Sequence, residues 1–235
     1  MDAQPQTVVI PIEFPDPDPL PPTFIDVTTP CRVVLLGVYE LPDGVDDDER
    51  HRREIEAKNT LYSLASNFVR EGETAEVELV MGHDLTDVPS TVAEERDADA
   101  LLITNPITTL GRILVPIRDR KFADPVVEFV STLEESGLIH TTLLHVADDD
   151  DAVADAEAFL SEVKTGLVEA GYPSTGVDTE VVVSDDPSFA VSSAADGYDL
   201  IIMGETQDTG YERVFGEMYE SVAEQTHLPI IVVRE

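Results

Sequence analysis

The sequence predicts an α/β fold built from two tandem open parallel sheets of the Rossmann-like or flavodoxin-like kind. Two observations favour this fold class. Short apolar runs alternate with helical patterns along the whole chain, which is typical of parallel α/β sheets. The order of these elements also occurs twice, with sequence matches between the two halves.

The expected strands are short apolar runs, and the expected helices are amphipathic patterns that end at glycine or a loop. In the first half we expect strands at residues 7–14, 31–41, 75–81 and 99–104, and helices at residues 46–71 and 87–96. In the second half we expect strands at residues 112–117, 140–146, 177–183, 200–203 and 230–233, and helices at residues 124–136, 151–170, 187–195 and from about 211. Alternating prolines at residues 15–22 favour an extended loop, followed by no more than a turn near Phe24.

The internal repeat sets the expected domain boundaries. Three apolar runs of the first half match runs of the second, namely residues 9–12 with 114–117, 35–38 with 143–146, and 99–104 with 199–204. We therefore expect a degenerate first domain, residues 1–108, which lacks its last helix and strand, and a complete second domain, residues 109–235. Asn105-Pro106 stands where a glycine loop would follow the fourth strand, and proline has no N–H to offer a phosphate. We expect the first domain to bind no nucleotide.

The second domain carries a glycine loop at the end of an apolar run. Residues 200–203 are apolar and end at Gly204, and a loop containing Gly210 and Gly216 follows. A helical pattern and the final apolar run complete a strand, loop, helix, strand unit. Glycine at the end of a strand lets a ligand approach the backbone, and a helix N-terminus presents free N–H groups that suit phosphate. This loop is therefore the place where a binding site is expected.

This stretch resembles the signature end of the universal stress protein (UspA) family. The family pattern is a strand, Gly-x2-Gly-x9-Gly-Ser/Thr, a helix, and a short strand opened by proline, which Pro229 matches here. The loop is one residue shorter than the pattern, Gln207 replaces the second motif glycine, and Glu217 replaces the Ser/Thr. The resemblance covers a complete copy from about residue 111 and a degenerate copy before it. It implies a fold of the adenine nucleotide alpha hydrolase-like type.

The resemblance also implies a set of nucleotide-binding positions. In ATP-binding members an aspartate ends the first strand, and the matching residue here is Arg118, with Asp119 one step later. The candidate cofactor-binding residues are Pro116, Arg118, Val146, Met203, Gly204, Gly210, Gly216 and Glu217. Glu205, Asp208 and Glu217 place negative charge near the expected phosphates, and their Coulomb repulsion opposes an anion. Two interpretations stay open: the second domain binds ATP, or its loop is vestigial.

The function implied by the resemblance is that of a cytoplasmic regulatory or stress-response binding protein that is not an enzyme and has no essential cofactor. One alternative is an ATP-binding or ATP-hydrolysing enzyme on the same fold, and another is a regulatory subunit of a membrane transporter. The chain contains no Gly-x-Ser-x-Gly, His-Glu-x-x-His or Gly-x4-Gly-Lys-Ser/Thr motif. Its five histidines show no metal-ligand spacing, so no catalytic residue and no metal site is expected.

The charge of the chain is extreme. It has 49 acidic and 14 basic residues, a net charge of −35, and only three lysines. A folded, carboxylate-rich and lysine-poor chain resembles a cytoplasmic protein of a halophilic archaeon, where molar salt screens self-repulsion. Together with the repeat, this predicts a tandem-domain family member of the haloarchaeal type; the alternative is an acidic protein of an ordinary organism. Nucleic-acid binding is disfavoured because no basic stripe is present to contact phosphates.

The cysteine content and the apolar stretches predict the compartment, and the last strand predicts the assembly. Cys31 is the only cysteine and no stretch is apolar enough to span a bilayer, so a cytoplasmic protein without membrane insertion is expected. We expect the last strand, residues 230–233, to lie at a sheet edge. An uncovered edge invites pairing, which predicts a homodimer through the second domain.

Overall fold

A computed structural model describes residues 5–68, 75–103, 106–107, 110–133, 140–205 and 217–234, which form one nine-stranded, mostly parallel sheet with helices on both faces. The strands in chain order are β1 (Thr7–Phe14), β2 (Arg32–Glu40), β3 (Glu76–Gly82), β4 (Ala100–Ile103), β5 (Arg112–Pro116), β6 (His140–Ala147), β7 (Val177–Val183), β8 (Leu200–Gly204) and β9 (Ile230–Val233). The α-helices are α1 (Pro22–Thr28), α2 (Asp47–Ala65), α3 (Val88–Glu95), α4 (Arg120–Thr132), α5 (Val153–Glu169), α6 (Pro187–Ala194) and α7 (Glu217–Gln225). The α/β fold class is confirmed, but the two sheets that the sequence predicts are joined into a single sheet.

The strand order across the sheet is β3-β2-β1-β4-β9-β8-β5-β6-β7. The first half contributes β3-β2-β1-β4, and the second half contributes the same order of equivalent strands, β7-β6-β5-β8, followed by β9. In each half the first strand of the chain lies in the middle and the order reverses around it. Ligands of open α/β sheets bind at the carboxyl ends of the strands at such a reversal.

Alternating side chains of the strands fill a core on each face of the sheet. On one face they pack against α1, α2, α4 and α5, whose buried residues include Phe24, Leu61, Phe129 and Leu160. The opposite face is covered by α3 in the first half and by α6 and α7 in the second. Burial on both faces explains why the sequence of the central strands is continuously apolar rather than alternating.

The two halves join through β4 and β9, which pair antiparallel from Ala100↔Val233 to Ile103↔Ile230. β9 also pairs parallel with β8 on its other side. The expectation that residues 230–233 lie at a sheet edge is therefore wrong: β9 fills the side of β4 that faces away from β1. The edge argument for a homodimer is removed with it, since the outer strands of the described sheet are β3 and β7.

Paired aspartates fix the start of each half. The backbone N–H of Thr7 donates to Asp99 Oδ2 at 2.7 Å, and the backbone N–H of Arg112 donates to Asp199 Oδ2 at 2.9 Å. Each carboxylate thus ties the amino end of a first strand to the amino end of the strand beside it. This contact explains why both matched apolar runs, residues 99–104 and 199–204, begin with aspartate.

The bounds of the strands agree with the sequence prediction to within a residue, and those of the helices less well. α4 begins at Arg120 instead of residue 124, because the Asp119 side chain accepts the Lys121 N–H and caps the helix four residues before the expected start. The chain after the prolines forms a seven-residue helix, α1, where only a turn was expected. Among the described residues, no helix is long and apolar enough to cross a membrane.

Candidate functional site

A cavity of about 370 Å³ opens at the carboxyl ends of β5, β6 and β8, between α4 and α6. This is the reversal point of the strand order in the second half, where the fold predicts a ligand. The cavity combines apolar walls with a few charged groups. Its lining residues are Pro116, Ile117, Arg118, Asp119, Phe122, Val126, Leu144, His145, Val146, Asp148, Pro187, Val191, Met203 and Gly204.

The cavity brings together five of the eight residues proposed from the sequence: Pro116, Arg118, Val146, Met203 and Gly204. Gly210 and Gly216 lie outside the described residues. Glu217 is the first residue of α7, and the position of its side chain lies outside the description. Whether these residues bind a nucleotide stays a prediction, but the adenine-side positions do share one cavity.

The backbone of Val146 faces the cavity beyond the end of β5. The Ile117 N–H donates to the Leu144 carbonyl at 2.8 Å, so the backbone of Leu144 faces β5. The Ser184 N–H donates to the Ala147 carbonyl, so the backbone of Ala147 faces the β7 side. Backbone groups alternate along a strand, so the N–H and C=O of Val146 face the same side as those of Leu144. There β5 has already ended at Pro116, so it offers these two groups no strand partner on the side where the cavity opens, and Val146 is one of the lining residues.

His145 also lines the cavity, although its place within an apolar run is typical of a core residue. Its Nδ1 lies 2.8 Å from the Ile117 carbonyl oxygen, and because a carbonyl can only accept, Nδ1 carries the proton. The ring also packs edge-on against Phe159 of α5. The histidine is half-buried and hydrogen-bonded, as a core histidine should be, but it also borders the cavity.

The charged groups at the cavity are one cation and two carboxylates. Arg118 is exposed and has no ion-pair partner among the described residues, so its guanidinium is available to a ligand. The Asp119 carboxylate accepts the Lys121 N–H at 2.9 Å and is partly used as a helix cap. Asp148 lines the cavity, while its neighbour Asp149 accepts the Ala152 N–H and begins the turn that leads into α5. No group of three or more metal-ligating side chains occurs in the described part of the chain.

Comparison with known families identifies the second half. Residues 109–234, more than half of the chain, match the model of the universal stress protein family. The chain belongs to the universal stress protein family. No curated protein matches it.

Solved structures agree with this fold across nearly the whole chain. A universal stress protein from Archaeoglobus fulgidus DSM 4304 superposes with a TM-score of 0.60 at 17% identity, covering 97% of this chain and 96% of that one. The cytoplasmic domain of a prokaryotic cation chloride cotransporter superposes with a TM-score of 0.53 at 15% identity, covering 98% and 95%. A universal stress protein from Archaeoglobus fulgidus in complex with dAMP matches 54% of this chain and 98% of that one, with a TM-score of 0.42 at 18% identity.

In this universal stress protein the carboxylate of Glu205 does not line the cavity, contrary to its expected place beside the ligand phosphates. Glu205 is buried, and its Oε2 lies 3.6 Å from Nε of Arg234, which follows β9. Arg234 also approaches Glu94 of α3, in the other half of the chain, at 3.9 Å. The charge of Glu205 is thus compensated inside the protein. Asp208, the second carboxylate of the repulsion argument, lies outside the described residues.

Gly204 serves packing as well as the cavity. A Cβ on this residue would lie 3.1 Å from the Phe122 Cβ and 3.5 Å from the Val126 Cγ2, both on α4. The distance to Phe122 is shorter than an ordinary van der Waals contact, whereas the distance to Val126 is ordinary, so the absence of a side chain lets Phe122 of α4 lie against the end of β8. Packing against α4 therefore explains the presence of glycine at position 204 without any ligand.

The equivalent place in the first half holds a smaller cavity of about 180 Å³. The proline segment folds over it, and its lining residues are Pro11, Ile12, Glu13, Asp16, Asp18, Pro19, Leu20, Leu102, Pro106 and Ile107. No basic residue is among them, so the negative charge of the lining opposes an anionic ligand. The expectation that this half binds no nucleotide stays a prediction.

Cys31 offers no reactive thiol. It is buried at the start of β2, and burial, with a smaller contribution from the charge of Asp99, raises the pKa of the thiol to about 12. At neutral pH the group stays protonated and cannot act as a nucleophile.

Proposed function

We propose that this universal stress protein is a non-catalytic regulatory protein that binds an adenine nucleoside or nucleotide in the cavity of its second half. The observation that carries the proposal is the Val146 backbone pair beside a cavity with apolar walls at the reversal point of the sheet. One extended residue there offers a donor and an acceptor side by side. The Watson–Crick edge of adenine presents the complementary pair, the N1 acceptor and the N6 amino donor.

The rest of the cavity supports an adenosine-sized ligand. Its volume lies at the low end of the range for small-molecule sites. Pro116, Val146 and Met203 provide apolar surface for a flat base. Asp119 and Asp148 offer acceptors for sugar hydroxyl groups, and Arg118 offers a cation to a phosphate.

Two polar groups of the cavity are engaged within the protein, which supports binding rather than catalysis. A general base needs an unengaged group within hydrogen-bond reach of the proton that it removes. The Asp119 carboxylate caps α4, and His145 Nδ1 is occupied by the Ile117 carbonyl. Purified protein is expected to hydrolyse no ATP, and steady turnover that Arg118→Ala abolishes would contradict the non-catalytic part of the proposal.

Binding is tested by isothermal titration in molar KCl with adenosine, AMP and Mg·ATP, using guanosine as the control. Adenosine should bind and guanosine should not, because guanine presents its O6 to the Val146 carbonyl and its N1–H to the Val146 N–H. Binding of both nucleosides with equal affinity, or of neither, would contradict the proposal.

Two arginines close together in the sequence allow a controlled test of phosphate binding. Arg118 lines the cavity, whereas Arg120 lies outside it, pairs with Glu162 and lies over the Phe159 ring. Arg118→Ala should weaken AMP binding more than adenosine binding, and Arg120→Ala should change neither.

The transporter alternative has support from the fold alone. The superposition with the cotransporter cytoplasmic domain includes 95% of that domain, at 15% identity. Stable co-purification of this chain with a membrane protein from its own source would favour that alternative, and it is compatible with an adenine site.

A further inference from the structure

The parallel ladder between β5 and β6 stops one hydrogen bond early. The last register pair is Pro116↔Leu144, and the Ile117 N–H still donates to the Leu144 carbonyl. In a regular parallel ladder the next bond would run from the Val146 N–H to the Ile117 carbonyl. That bond is absent from the described backbone pairs, and His145 Nδ1 donates to the same carbonyl at 2.8 Å instead.

The first half of the chain shows what happens without the histidine. The run at residues 35–38 matches residues 143–146, so Gly37 stands at the position of His145 and Val38 at that of Val146. There the ladder runs on through Ile12↔Gly37 and Glu13↔Val38 to Phe14↔Tyr39. The first half therefore closes its ladder at the place where the second half leaves Val146 unpaired.

The packing in the first half explains why no side chain acts in this way there. A Cβ on Gly37 would lie 2.7 Å from the Leu61 Cδ1 and 2.8 Å from the Leu79 Cδ1. The space that the imidazole of His145 occupies is thus filled by leucines from α2 and β3. At the same repeated position, the half with glycine continues its strand pairing, and the half with histidine ends it.

We propose that His145 is a positioning residue that keeps the Val146 N–H available to the ligand by occupying the Ile117 carbonyl in its place. This inference rests on the proposed adenine site. In this role His145 does not touch the base. It determines whether the Val146 N–H stays available to the cavity or forms a hydrogen bond within the sheet. The ligand feature that depends on the donor is the N1 acceptor of adenine.

The test compares adenosine with 1-deazaadenosine, in which N1 is replaced by C–H, on three proteins in molar KCl. The natural chain should bind adenosine about tenfold more tightly or better, because 1-deazaadenosine leaves the Val146 N–H without an acceptor. His145→Leu removes the Nδ1 donor at similar volume, so the affinity ratio should fall to about one as Val146 pairs with Ile117. His145→Asn places an amide N–H where Nδ1 was and should restore most of the ratio.

Amide exchange of Val146 provides a second measurement that needs no ligand. In the ligand-free natural chain and in His145→Asn this amide should exchange rapidly, and in His145→Leu it should become protected. Thermal midpoints of the three proteins establish that each one folds. A protected Val146 amide in the natural chain overturns the inference, even where a variant fails to fold.

The outcomes separate the two proposals. If the natural chain binds no adenosine, both the proposed function and the inference about His145 are overturned. If the natural chain discriminates between the two nucleosides and His145→Leu discriminates equally, the role of His145 is overturned while the adenine site stands.

Discussion

Arg234 is the cation that allows a carboxylate to be buried at the base of the glycine loop, and its removal should be strongly destabilising. Its side chain is 12% exposed and that of Glu205 is 8% exposed, at a separation of 3.6 Å. At an effective dielectric constant of 20, a pair at this distance interacts by about 4 to 5 kcal/mol. Removing one partner of a buried pair leaves the other charge uncompensated, and such losses are about 3 to 5 kcal/mol. We expect Arg234→Met to lower the free energy of unfolding by that amount.

The contribution of Arg234 should greatly exceed that of an exposed pair. Arg120 and Glu162 form such a pair, with side chains 71% and 58% exposed, so Arg120→Ala should change the free energy of unfolding far less than Arg234→Met does. In the double variant Arg234→Met with Glu205→Gln, no buried charge is left unpaired there, and most of the loss should be recovered.

Urea unfolding in 2 M KCl measures all four proteins under conditions where surface charges are screened. A loss for Arg234→Met no larger than that for Arg120→Ala would refute the reasoning. So would a double variant that is as unstable as the single one, because the cost would then lie in packing rather than in the unpaired carboxylate.

Three further predictions concern charge, glycine and the buried thiol. The thermal midpoint should rise steeply between dilute buffer and molar KCl, because folding compacts a net charge of −35; an unchanged midpoint would remove the halophilic interpretation. Gly204→Ala should cost about 1 to 3 kcal/mol in urea unfolding through its contact with Phe122, whereas Gly166→Ala, in the interior of α5 with nothing within 4 Å of the new Cβ, should stabilise by about 0.5 to 1 kcal/mol. The pKa of Cys31 is raised from 9.0 to about 12, so the unfolded chain loses this proton first and stability should fall as pH rises from about 9 to 12. Cys31→Ala should lack that part of the pH dependence, and a slope that persists in this variant would assign it to other groups.

The apolar pattern predicts the strands well because burial on both faces leaves them continuously apolar. β1, β7 and β9 have the expected bounds exactly. The predicted start of α4 at residue 124 is wrong because the Asp119 cap begins the helix at Arg120, and Pro125 lies inside it. A cap depends on one side-chain hydrogen bond, which hydrophobic periodicity does not register.

The position of β9 could not be read from its own sequence. An apolar strand of four residues looks the same at an edge and in the interior of a sheet, and its neighbours decide which it is. Here the open side of β4 decides it, through four antiparallel register pairs. The absence of a last strand in the first half was visible in the sequence, but its consequence, a strand taken from the other half, was not inferred.

At the candidate site, the sequence predicts where residues lie better than it predicts what each side chain does. Pro116, Val146 and Gly204 share one cavity because the carboxyl ends of parallel strands meet at one edge of the sheet, whereas their role in binding stays a prediction. The predicted place of Glu205 beside the phosphates is wrong because its compensating partner, Arg234, lies 29 residues away in the sequence, and no local pattern connects the two. The match between Gly37 and His145 was the one signal in the sequence that could have drawn attention to the histidine.

The central claim is that the second half, and not the first, holds an adenine ligand on the Val146 backbone. The most direct measurement is a backbone-amide NMR titration with adenosine in molar KCl, comparing Val146 with its first-half counterpart Val38. The Val146 amide should shift and become protected from exchange as adenosine saturates the protein, while the Val38 amide stays unchanged. Saturable shifts at Val38 without shifts at Val146, or no saturable shift at either residue, would contradict the account.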